Sequence, residues 1–85
     1  MAYFARVENN IVEQVIAINN TDCDNLPFPE SEPIGQAFIA SVGIVGEWLQ
    51  TSYNATFRGV YAGIGFTFDP LFGEYGEFVA PLPVE

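Results

Sequence analysis

The chain has no histidine and no lysine, and its 85 residues hold two arginines, Arg6 and Arg58, and one cysteine, Cys23. Each scarcity excludes a class of chemistry. Without histidine, lysine or a thiol in a cationic setting, the commonest general bases and nucleophiles are missing, which leaves carboxylates, hydroxyls and tyrosine. Asp22 and Asp24 flank Cys23, and two negative neighbours disfavour its thiolate. A lone thiol forms no disulfide within the chain, and without histidine it builds no structural zinc site. Against the two arginines stand 11 Asp and Glu, for a formal charge of -9. Nucleic acid and anionic membrane are excluded as partners, because both need a cationic patch that two arginines cannot make. No stretch approaches the roughly 20 apolar residues of a membrane span. The first residues show no basic segment followed by an apolar run and a cleavage site, so the expected place of synthesis is the producing cell's cytoplasm.

What is present points toward association. Hydrophobic residues make up 49% of the chain and charged residues 15%, the latter against roughly 25% in an average soluble domain. Thirteen aromatics (eight Phe, four Tyr, one Trp) compete for cover in a chain that buries only about 60% of its unfolded surface. The length predicts one domain, residues 1–85, around a single core. Ordering so small a domain costs nearly as much as its core burial returns, and disulfide and zinc are excluded. Docking onto neighbours is the remaining source of stability.

Residues 2–8 and 11–18 are rich in β-branched and aromatic residues, and Asn9-Asn10 between them predicts a tight hairpin, since asparagine tolerates positive φ. Alternation puts Tyr3, Ala5 and Val7 on one face of the first strand and Phe4, Arg6 and Glu8 on the other, so neither face is plainly wet. Residues 19–33, with Pro27, Pro29 and Pro33, predict a long loop in which Phe28 pins the chain like a strap. Ser31 as a cap, Pro33 in the first turn and the recurrence of Ile34, Ala37, Phe38, Ser41 and Val42 at spacings of three and four predict one short helix over about 33–42, ended by Gly43. A strand follows over 47–53, then a glycine- and aromatic-rich stretch with a short strand or bridge at Val60-Tyr61. A second hairpin pairs 66–69 with 77–80, and an extended tail covers 81–85. The expected fold is mainly β: a small antiparallel β-sandwich or rolled sheet of about five or six strands with that one helix.

Catalytic and cofactor motifs are fragmentary. Glu30 with Glu32, and Asp22 with Asp24, are adjacent carboxylates in a proline-rich loop, read as solvated charges rather than an acid/base pair. Asp22-Cys23-Asp24-Asn25 opens like a calcium loop but lacks its central glycine and closing glutamate. Gly63-Ile64-Gly65 is a piece of a dinucleotide fingerprint with Phe68 in place of the third glycine. No enzyme activity, metal or cofactor is expected. Two aromatic sets are candidate binding residues. Trp48, Tyr53, Phe57 and Tyr61 are expected around Arg58, either as a core ring with a snorkelling arginine or as an anchor cluster for protein or glycan. Leu71, Phe72 and Tyr75, with Phe28, are either interface anchors or a cover folded back on the sheet.

The segments Trp48-Leu49-Gln50-Thr51-Ser52-Tyr53-Asn54, Arg58-Gly59-Val60-Tyr61-Ala62-Gly63-Ile64-Gly65-Phe66-Thr67-Phe68-Asp69 and Phe78-Val79-Ala80-Pro81-Leu82-Pro83, with the opening Met1 to Glu8, resemble a family of small virion-associated proteins of tailed phages. Many of these come from phages of cyanobacteria and marine bacteria. The resemblance covers nearly the whole chain and implies a structural part of the particle, with no catalytic residues to carry over. Charge then favours the outside of the shell, away from packaged DNA. The expectation is a capsid cement or decoration protein, made in the host cytoplasm. It would bind the major capsid protein and copies of itself as a dimer or trimer, through apolar contacts and sheet-edge bonds. The alternative is a tail or fibre component that touches host glycans near Trp48, Tyr61 and Arg58.

Overall fold

The computed structural model describes residues 1–81. From Leu82 on, the expected extended tail lies outside the described residues. Five strands, β1 (Ala2–Glu8), β2 (Ile11–Ile18), β3 (Glu47–Thr51), β4 (Thr67–Asp69) and β5 (Glu77–Val79), form one antiparallel sheet in the order β3-β1-β2-β4-β5. One helix, α1 (Ser31–Ser41), packs on it. The architecture is therefore mainly β, as expected from the sequence.

Asn9 and Asn10 stand at φ 52° and 63° and join Glu8 to its pair Ile11. Two consecutive left-handed residues give a two-residue loop the twist of its strands, which is why asparagine serves there. The loop over 19–33 is more structured than expected. Asn20–Cys23 forms a 3-10 turn that buries Cys23 against α1. Ser31 does not cap the helix. It lies inside the first turn, buried, with Glu30 at the capping position and no side-chain cap.

β1 lies inside the sheet, between β3 and β2, and buries residues on both sides, so the sheet divides the interior in two. On one face Ala2, Phe4, Ile18 and Trp48 pack with Cys23 and with Ile39 of the helix. On the other, Ala5, Val7 and Val12 pack with Ala62, Phe68 and Phe78. The single core expected from chain length is thus two thin layers sharing one sheet. The helix meets the first layer through Ser31, Gly35 and Ile39, a stripe one step around from the expected Ile34, Ala37, Phe38, Ser41 and Val42. The reason is close approach. A Cβ on Gly35 would overlap the Phe4 ring and come 3.0 Å from Cys23 Sγ, so only glycine lets the helix lie this low.

Candidate functional site

The arrangement that organises the rest of the molecule centres on Arg58. Its backbone is left-handed, φ 56°, a conformation that costs a non-glycine residue on the order of 1 kcal/mol and needs surrounding contacts to hold it. Those contacts are numerous. Nη1 donates to Glu32 Oε2 and to the Gln50 carbonyl at 3.0 Å, Nη2 to Glu32 Oε1 at 3.2 Å, and Nε to the Tyr75 carbonyl at 3.0 Å. Glu32 Oε2 in turn accepts from Gln50 N at 2.8 Å. The two side chains are 7% and 17% exposed. A carboxylate and a guanidinium withdrawn this far from water recover their lost hydration by filling each other's hydrogen-bonding sites.

This knot joins both rims of the sheet. β3 is one outer strand, and three of its outward groups are occupied: Gln50 N by Glu32, the Gln50 carbonyl by Arg58, and the Trp48 carbonyl by Gln36 Nε2 at 2.6 Å. β5 is the other, and Phe78 N donates to the Arg58 carbonyl at 2.9 Å beside an isolated bridge from Gly59 to Phe78. The expected strand or bridge at Val60-Tyr61 falls at Gly59. Arg58 therefore holds β3 by its side chain and β5 by its main chain. Sheet-edge bonding to a partner, expected above, is blocked at these positions because the groups it needs are already paired.

Of the residues expected at a binding surface, Leu71 and Phe72 project. They are 92% and 59% exposed in the β4–β5 connection. Asp69 Oδ1 caps that turn by accepting from Leu71 N at 3.0 Å. Tyr75 folds back, its carbonyl held by Arg58 and its ring edge-on to Phe28 at 5.0 Å. Phe28 is half-buried and stacked on Phe57 at 3.9 Å, with the Arg58 guanidinium 5.0 Å from its ring centre. Phe28 is thus a strap fastened inside the molecule, with part of its ring still open to solvent. The tip is apolar and outward, and its root is bolted.

The ring expected around Arg58 does not form. Trp48 is 3% exposed in the layer beneath the helix, so neither protein nor glycan reaches it. Arg58 stands over Phe28 and, at 5.5 Å, Phe68. Tyr53 and Tyr61 instead meet each other at 5.2 Å and join Tyr3 at 5.5 and 5.6 Å. Burial, followed by the neighbouring phenols of Tyr3 and Tyr53, pushes the Tyr61 phenol above its ordinary pKa. Tyr3 was missed in the sequence, although its pairing face points to it: Tyr3 lies opposite Thr51 and shares that residue's face with Tyr53. Glu32 was misread as solvated. The overlooked signal is scarcity itself, since an acidic chain with two cations has few ways to satisfy a half-buried one.

Among the described residues, no three His, Cys, Asp or Glu side chains gather as a metal site, and no helix is long and apolar enough to cross a membrane. No family model, curated protein or solved structure matches the chain. The phage resemblance therefore rests on the quoted segments alone.

Proposed function

We propose that the protein is a structural docking module. In the setting that the sequence resemblance implies, it is a capsid cement protein on the outer shell of a tailed-phage particle, without enzyme activity. The observation that carries this reading is the outward Leu71–Phe72 tip on a root held by Arg58 and Tyr75. A large exposed apolar pair on a pre-ordered turn loses little entropy when it enters a pocket, which is how a small interface reaches useful affinity. The charge of -9 suits the outer surface, away from packaged DNA. The major capsid protein and further copies of the chain, as a dimer or trimer, are the proposed partners, and the contact is made by side chains rather than by strand addition.

Stripping the protein from purified virions and heating them tests the role. Lower-temperature DNA release, restored by adding the protein back but not by a Leu71→Asp/Phe72→Asp variant, supports it. Unchanged release sinks it. Gel densitometry separates the tail-component alternative, since cement is present in far more copies than a tail part.

A further inference from the structure

Three of the chain's four tyrosines meet in one place. Tyr3 of β1, Tyr53 just beyond β3 and Tyr61 each contact the other two, with ring centres 5.5, 5.6 and 5.2 Å apart. Tyr53 is the outer member, 63% exposed, and Tyr3 and Tyr61 are half-buried against it. Trp48 and Cys23, whose indole and thiol also give up single electrons readily, are buried, so an oxidant at this surface meets Tyr53. Tyr75, the fourth tyrosine, is exposed but faces Phe28, which has no phenol to couple with.

We propose that Tyr3 and Tyr53 form a site of oxidative cross-linking, joined ring to ring as a dityrosine by hydrogen peroxide acting through a one-electron haem peroxidase. The oxidant takes an electron and a proton from Tyr53. The resulting radical draws an electron and a proton from Tyr3 across the ring contact, and Tyr53 is oxidised a second time. The two radicals join through ring carbons beside their hydroxyls, and the displaced ring hydrogens return to the phenol oxygens. In all, two electrons and two protons convert one hydrogen peroxide into two waters. The unpaired electron occupies an orbital perpendicular to the ring, so coupling favours rings that meet face to face. Tyr3 and Tyr53 are 30° from parallel, against 58° for Tyr53 with Tyr61 and 84° for Tyr3 with Tyr61. Oxidation also releases the phenol proton, and burial holds that of Tyr61 more firmly than usual. A chain whose lone Cys23 forms no disulfide thereby gains a covalent tie between β1 and the segment after β3.

The test treats the dilute full chain with a haem peroxidase and hydrogen peroxide. The product should run at monomer size, weigh two hydrogens less than the parent and show biphenol fluorescence. Arg6 and Arg58 are the only basic residues, so a protease specific for them divides the denatured product into residues 1–6, 7–58 and 59–85. The proposed bond joins 1–6 to 7–58, whereas any bond to Tyr61 or Tyr75 involves 59–85. Tyr53→Phe should cut the total yield of cross-linked monomer at least about tenfold, because partners held in contact and aligned outcompete others. Tyr75→Phe should leave the yield unchanged. The proposal is overturned if only cross-linked dimers form, if the bond lies mainly on 59–85, or if Tyr53→Phe yields as much cross-linked monomer as the parent.

Discussion

The Arg58 guanidinium and the Glu32 carboxylate, 26 positions apart, form a two-pronged ion pair that also holds the main chain of Gln50. Removing one partner strands the other. Arg58→Met or Glu32→Leu alone should each destabilise the fold by about 3–5 kcal/mol, whereas the double replacement should cost clearly less than the sum. Urea titration of the four proteins measures the coupling. Arg58→Lys should behave more like the loss of the side chain than like a conservative change, because an ammonium cannot reproduce the fork.

Gly35 offers a test of sign. Glycine to alanine inside a helix ordinarily stabilises by roughly 0.5–1 kcal/mol. Here the added methyl meets the fully buried Phe4 ring, and Gly35→Ala should instead destabilise by about 1–3 kcal/mol. A melting temperature equal to or above the parent's would contradict the packing described.

The tip variants separate binding from folding. Leu71→Asp and Phe72→Asp remove exposed side chains, so their stabilities should stay within about 0.5 kcal/mol of the parent. Loss of particle binding with an unchanged melt is the expected pair of results. A large drop in stability would mean that the two residues cover the sheet.

Two groups make stability fall at alkaline pH. Burial, then the Asp22 and Asp24 charges, push the Cys23 thiol above its ordinary pKa, and Tyr61 is raised chiefly by burial. Each therefore keeps its proton longer when folded than when unfolded. The unfolded chain binds fewer protons in that window, and stability must decline as pH rises through and beyond the ordinary thiol and phenol values. Cys23→Ser should flatten the first part of the decline in denaturant melts recorded between neutral and alkaline pH. Consistent with its 1% exposure, Cys23 should react with a thiol reagent slowly in the native protein and rapidly after denaturation.

The local features were readable from the sequence. Asn9-Asn10 carries its own turn chemistry, and the β4–β5 hairpin and the helix were recognisable within a few residues because neighbours in sequence decide them. The helix's orientation was not readable. Its buried stripe is Ser31, Gly35 and Ile39, and a serine and a glycine carry no hydrophobic signal even though close approach to Phe4 selects that face. Nor was the Arg58 knot. Glu32 looks solvated among prolines until the fold brings a distant cation to it, and Trp48, close to Arg58 in sequence, turns into the layer beneath the helix. The tyrosine cluster was half visible, because Tyr53 and Tyr61 were named and strand alternation supplies Tyr3.

The plugging of both sheet rims bears on how this protein behaves when crowded. Open strand borders on a small chain would act as templates for runaway stacking, each new copy exposing a fresh border. With Gln36, Glu32 and Arg58 seated at those borders, growth by main-chain zippering is obstructed at Trp48, Gln50 and Phe78. Contacts made through the Leu71–Phe72 knob are set by side-chain fit rather than by a repeating backbone template.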